Sequence, residues 1–344
     1  MKRPRALSRF VLIGLGICAM LASVGAPAAN RTEDALSLVP PESVSVAVVR
    51  FNEFRSSPLA ARFFADADHV TVDGDAERFL AEAKLSPKED VDTAVLASAP
   101  RSGAAEATVL ALFEGRFDPD RLAKAAAARG AVRKNTDAGP YYLLTGDRDS
   151  ARADCDRPGA VAFVSKHLVI AGTEPAVAGA LASAASGGTS FTTGGGLGRE
   201  LHRIHRESSA WALIDLARFP FGKREGAHGQ PETRRGDGPA AAILGAMRTV
   251  TLFAFEATAR GDSLELSATG VSNDEESRQL LEDSIRGILA MWRLGVQDKS
   301  PELVPVLRSF KVKRDNEGVT VAGTLSADLV RTLTEAAREK GERH

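Results

Sequence analysis

The sequence predicts an α+β protein built as two tandem, diverged βαββαβ-like units, each an antiparallel sheet covered by helices. Three observations predict it. Apolar and polar residues alternate strictly from Ser263 to Thr269, where Leu264, Leu266 and Ala268 interleave with Glu265, Ser267 and Thr269. Such a strand buries one face and wets the other, as in an antiparallel sheet. A stripe of Leu281, Ile285, Ile288 and Trp292 opposes Arg278, Glu282, Asp283, Arg286 and Arg293, the pattern of a helix laid on a sheet. Short motifs also recur in the same order in both halves. Val49-Arg50-Phe51 and Ala217-Arg218-Phe219 each end a first strand, Gly115 and Gly270 each end a later strand before an acid-capped helix, and Ala171-Gly172-Thr173 matches Ala322-Gly323-Thr324. A shared order of motifs marks a duplication, and strand, helix, two strands, helix, strand is a split βαββαβ unit.

In chain order, the first element is an export signal. Lys2, Arg3, Arg5 and Arg9 precede an apolar run from Phe10 to Val24, which is followed by Ala26-Pro27-Ala28, a small-x-small cleavage site. Residues 1–28 therefore read as a signal peptide and the protein as periplasmic or secreted. The apolar run is about fifteen residues, short of the roughly twenty that span a bilayer. Cleavage leaves no membrane span; an uncleaved signal anchoring the chain in a membrane is the alternative.

Residues 36–186 form the first repeat. Val44 to Val49 is a strand, Leu59, Phe63 and Phe64 share a helical face, and Ala76 to Lys84 is a second helix. Val91 to Ala99 and Ala107 to Phe113 are strands, rich in Val, Leu and Ala. Asp118-Pro119 is an N-cap with proline at the first helical position, for a helix that stops at Gly130. Tyr141 to Leu144, Ala160 to Val164 and Leu168 to Ala171 are strands, and Ala176 to Ala185 is a helix. Residues 187–208 form a Gly-rich linker and connecting helix, and residues 209–340 the second repeat. There Ser209 to Phe219 is a strand, and Thr249 to Ala257 and Ser263 to Thr269 pair across Arg260-Gly261-Asp262. Asn273 or Asp274 caps the long helix.

Charge excludes one class of partner. The chain holds 44 basic and 45 acidic residues, and the signal takes four of the basic ones with it, leaving about −5. Nucleic acid binding rewards clustered Lys and Arg, so no nucleic acid partner is expected. The signal also removes Cys18 and leaves Cys155, so no internal disulfide staples the fold.

The motifs that carry chemistry are sparse. His202 and His205 lie three apart in a stretch, Arg199 to Glu207, that reads as helical, so both imidazoles share a face with Glu200 and Glu207 near. They are the candidate metal ligands, although Arg203 and Arg206 oppose a cation. Gly194-Gly195-Gly196-Leu197-Gly198 lacks the endings of a phosphate loop or dinucleotide fingerprint and reads as linker. Asp147, Asp149, Asp154 and Asp156 cluster as calcium ligands do, but Arg148, Arg152 and Arg157 interleave and offset them. Arg-Gly-Asp at 235–237 and 260–262 reads as turn chemistry. Gly-x-Ser-x-Gly, Ser-x-x-Lys and His-Glu-x-x-His are missing from the sequence. No catalytic residue and no cofactor are assigned.

Leu38-Val39-Pro40-Pro41-Glu42-Ser43 before a Val-rich strand, Phe113-Glu114-Gly115-Arg116-Phe117-Asp118, and the Ala-Gly-Thr strand ends are similar to a loose group of exported bacterial proteins of unknown function with two α+β repeats. The resemblance implies a cell-envelope protein and carries over no site residues. The sequence thus leads to an exported, non-enzymatic binding or interaction protein whose partner is an unknown protein or small-molecule ligand. An envelope hydrolase with an unrecognised site is the alternative.

Overall fold

The computed structural model describes residues 35–55, 57, 74–100, 108–144, 159–187, 191–219, 249–297 and 303–328. The chain divides into two compact units, Met1–Leu201 and His202–His344. The signal, the stretch holding Leu59, Phe63 and Phe64, the Asp147–Asp156 cluster with Cys155, and the Arg-Gly-Asp at 235–237 lie outside the described residues.

In the first unit, β1 (Ser45–Arg50) is followed by three short helices, α1 (Phe51–Arg55), α2 (Gly74–Ala83) and α3 (Pro87–Asp90). Then come β2 (Val91–Ala99), β3 (Thr108–Gly115), α4 (Pro119–Ala128), β4 (Val132–Thr136), β5 (Gly139–Leu144), β6 (Gly159–Phe163), β7 (Leu168–Thr173) and α5 (Glu174–Ser186). Its strands lie in the order β1-β2-β3-β7-β6-β5-β4, each antiparallel to its neighbours. Val46, Val48, Val95, Leu112 and Ile170 are buried along this sheet, and α5 sets Ala176, Val177, Ala180 and Leu181 into the core. Burial of a Val or Leu side chain stabilises by about 1.5–3 kcal/mol, so Val177 and Leu181 are the main anchors of that helix.

A 3₁₀ helix (Gly196–Arg203) precedes the strands of the second unit: β8 (Ala210–Asp215), β9 (Val250–Arg260) and β10 (Ser263–Ser272). The long α6 (Glu275–Gln297) and short α7 (Val304–Ser309) follow, then β11 (Lys311–Arg314) and β12 (Gly318–Ser326). The strand order is β8-β9-β10-β12-β11, again antiparallel. Trp211 and Leu213 are buried from β8, and Val250, Leu281 and Val319 form a cluster beneath α6. Among the described residues no helix is long and apolar enough to cross a membrane.

The expectation of two tandem antiparallel sheets, each covered by helices, is overturned. All twelve strands belong to one antiparallel sheet, and the helices are few. Alternation along a strand fixes which side chains point inward, but the ladder itself is made by backbone N–H and C=O groups that every residue carries alike. Two smaller departures have similar causes. β4 (VRKNT) is exposed along its whole length at the end of the strand order, so it shows no apolar period, and its Arg133 and Lys134 suit an edge. Trp292, expected on the buried stripe of α6, is 60% exposed, whereas Leu289 is buried. Helical spacing from Leu281 admits both positions, and packing selects Leu289.

Candidate functional site

A cleft in the first unit is assembled from four local structures. The first is the end of α2, where Leu85 N–H donates to the Leu80 carbonyl at 2.9 Å and Lys84 N–H to the Ala81 carbonyl at 3.1 Å. This Schellman pattern places the residue after the helix in the left-handed region, usually as glycine. Here Lys84 holds φ 48°, at a backbone cost of about 1 kcal/mol relative to glycine. Lys84 is one of the residues that line the cleft.

The second is α3 and the start of β2. Asp90 closes its own turn, its Oδ2 accepting the Ser86 N–H at 2.8 Å, while its carbonyl accepts the Arg116 N–H at 2.7 Å. That approach requires glycine at 115, because a Cβ there would overlap the Asp90 carbonyl. The β2–β3 register slips at the same level, with Val91 opposite Gly115 and Thr93 opposite Glu114, leaving Asp92 as the extra residue of a bulge. Arg55 pins the bulge: one guanidinium nitrogen donates to Asp92 Oδ1 at 2.6 Å and another to the Val91 carbonyl. Its side chain is 0% exposed, and Nε finds no hydrogen-bond partner among the described residues.

The third is the β6–β7 turn. Phe117 N–H donates to the Lys166 carbonyl at 2.8 Å, and Gly115 N–H to the His167 carbonyl at 3.1 Å. His167 Nδ1 lies 3.0 Å from the Gly115 carbonyl, an oxygen that only accepts, so the contact selects the Nδ1–H tautomer. The fourth is the start of α4, where Asp118 Oδ1 accepts the Arg121 N–H at 3.1 Å as an N-cap. A bidentate pair from Arg129 to Glu82, at 3.3 and 3.2 Å, ties α4 to α2.

These parts border an open cleft of about 340 Å³. Phe117 and Leu122 supply an apolar wall, and Lys84, Arg116, Arg121 and Lys166 bring four cations against the two carboxylates of Asp90 and Asp118. On a chain whose net charge is −1, this is a local positive excess. The charges are unequally committed. Asp118 Oδ2 pairs with the Arg121 guanidinium at 3.4 Å, and Arg116 donates to the Glu89 carbonyl. No ion pair holds Lys84 or Lys166 among the described residues. Both are exposed residues of the cleft's lining.

The chain matches no family model and no curated protein. Among solved structures it is similar to TP0453 in crystal forms I and III, at 10% identity each, with TM-scores of 0.43 and 0.48. The alignments cover 88% of this chain and 96% and 97% of those chains.

The histidines singled out from the sequence lie elsewhere. His202 sits in the 3₁₀ helix Gly196–Arg203 and His205 in the turn beyond it, so no single helix carries both. His205 engages Glu256 twice, its backbone N–H donating to Oε1 and its Nδ1 lying 3.2 Å from Oε2. Among the described residues no group of three His, Cys, Asp or Glu side chains is placed to hold a metal. In the glycine-rich stretch, Gly195 and Gly196 have positive φ, Gly198 lies against the Phe191 carbonyl where a Cβ would overlap it, and Phe191 and Leu197 are buried. These glycines serve close packing.

Sequence reasoning missed Lys84, Arg116 and Lys166, which are far apart in the chain. One signal was legible: a helix that ends on Lys-Leu-Ser-Pro lacks the usual glycine, so a side chain occupies a position that glycine fills more cheaply.

Proposed function

We propose that the protein is exported and acts as a non-enzymatic binding protein of the bacterial cell envelope, receiving its ligand in this cleft. The observation that carries the reading is the division of labour among the cleft's polar groups. Asp90, Asp118 and His167 are each engaged with the backbone that shapes the site, whereas the Lys84 and Lys166 ammoniums, suited to recognising charge rather than to transferring protons, are left for a ligand. The size of the cavity, about 340 Å³, falls within the range of small-molecule sites. The basic, apolar, small-x-small order of residues 1–28 supports export.

Thermal-shift screening of the full chain against metabolites, sugars and peptides tests the binding reading, with Leu85→Trp as the control that fills the cleft. Compounds that stabilise the wild type but not Leu85→Trp are the expected result. If no compound behaves so, the cleft is not a binding site. Mass measurement of the natural N-terminus tests export: a chain beginning after Ala28 is expected, and one beginning at Met1 in the cytoplasm overturns it.

A further inference from the structure

We infer that the cleft takes the phosphate group of a small phosphorylated ligand, held by the ammoniums of Lys84 and Lys166. The inference rests on the cleft being a binding site and adds the chemical class of what enters it.

Three features converge on a dianion. The two lysines come from separate segments, the end of α2 and the β6–β7 turn, yet both line one cleft and neither is held in an ion pair among the described residues. A phosphate monoester carries a charge of about −1.5 to −2 near neutral pH, which matches two point charges where a carboxylate matches one. The carboxylates that would repel such a group are turned to other donors, Asp90 to the Ser86 N–H and Asp118 to the Arg121 N–H and guanidinium. Concave walls that are partly apolar, here Phe117 and Leu122, concentrate the remaining positive potential. The volume, about 340 Å³, leaves room beside a phosphate for the rest of a small molecule. Lys84 adds an independent sign. It keeps its side chain at φ 48°, where glycine would close the same helix end without strain.

That backbone feature also provides a clean test, because Lys84→Gly removes the charge while relaxing the turn. Titration calorimetry of the full chain with glycerol 3-phosphate, at fixed ionic strength and with glycerol and acetate as controls, is the measurement. Glycerol 3-phosphate is expected to bind, more weakly as salt rises, while the controls stay silent. Lys84→Gly and Lys166→Gln are each expected to weaken binding about tenfold or more, the loss of one charge-assisted contact, with a Tm equal to or above that of the wild type for Lys84→Gly. A second arm replaces the soluble ester with phosphatidylcholine vesicles with and without phosphatidic acid. Capture by the phosphatidic acid vesicles that both variants lose places the phosphate on a lipid headgroup, and binding of the ester alone places it on a soluble metabolite; either supports the inference. Silence in both arms, or binding that Lys84→Gly and Lys166→Gln leave unchanged, overturns it. Should glycerol 3-phosphate be silent while an uncharged compound still binds and Leu85→Trp blocks it, the phosphate class falls and the cleft remains a binding site. If Leu85→Trp blocks nothing, both fall together.

Discussion

In the first unit β1, β2, β3, β7 and β6 run side by side, and in the second β8, β9, β10, β12 and β11 do the same. The third strand of each run ends at or near a glycine, Gly115 or Gly270, and leads to a helix capped by an aspartate that accepts the N–H three residues on. Asp118 bonds the Arg121 N–H at 3.1 Å, and Asp274 the Ser277 N–H at 2.7 Å. The units part company in what surrounds that connection. In the first, Gly115 admits the Asp90 carbonyl, short helices crowd the strand end, and a cavity opens among them. In the second, one 23-residue helix follows, and charge is spent on pairs. Arg314 reaches Glu275 at 3.4 Å and Glu282 at 3.2 Å, and Arg286 reaches Glu282 at 2.7 Å. The same ladder thus supports a concave site or a self-neutralised surface, according to the connections laid over it.

The largest test of this difference is Arg55→Leu. It strands the Asp92 carboxylate in the bulge, and removing one partner of a buried pair costs about 3–5 kcal/mol. Arg314→Ala, at a more exposed pair in the second unit, costs about 0–1 kcal/mol. Chemical denaturation of both variants checks the contrast, which equal losses would break. Next come the glycines. Gly115→Ala forces backbone against backbone and is expected to destabilise by about 2–3 kcal/mol, with loss of cleft binding. Gly270→Ala meets the buried side chains of Leu281 at 3.1 Å and Val250 at 3.3 Å rather than backbone, and is expected to cost less, about 1 kcal/mol. Asp118→Ala should cost about 1 kcal/mol through its lost cap, measurable as a lower denaturation midpoint with an unchanged slope.

The smallest effect separates the units by pH. Asp315 accepts the Glu317 and Gly318 N–H groups, both at 2.9 Å, and these bonds hold its carboxyl below the usual range, helped by Arg203 and Arg278 against the cost of burial. A lowered carboxyl contributes stability above its unfolded pKa, near 3.9, and loses it as pH falls through the folded value. Tyr141 behaves oppositely. Its hydroxyl donates to Glu174 Oε1 at 2.8 Å, and that bond, then burial, then the Glu174 charge raise the phenol. Its contribution is present below the unfolded pKa of about 10 and is lost as pH rises through the folded value. Tm measured against pH should therefore lose part of its acid limb in Asp315→Asn and part of its alkaline limb in Tyr141→Phe. If both variants shift the same limb, this assignment of the titrating groups fails.

Much of the local structure was legible in advance. The β9–β10 hairpin across Arg260-Gly261-Asp262, the Asp118-Pro119 start of α4 and the Asp274 cap of α6 depend on residues within a few positions of each other. β4 and β11 were missed because an exposed strand has no apolar period to read. The placement of His205 was missed because the stretch from Arg199 to Glu207, with its helix-like spacing, is a 3₁₀ helix that ends at Arg203, and Glu256 from β9 binds the turn beyond.

Composition and spacing by themselves determined where the apolar strands and the capped helices form and how several helices begin, since each is settled by neighbours along the chain. Tertiary structure alone decided that all the strands share one sheet and that Lys84, Arg116 and Lys166 meet around one cavity. Those outcomes rest on backbone hydrogen bonds between distant segments and on a glycine narrow enough to let them touch, and neither leaves a periodic trace in the order of the residues.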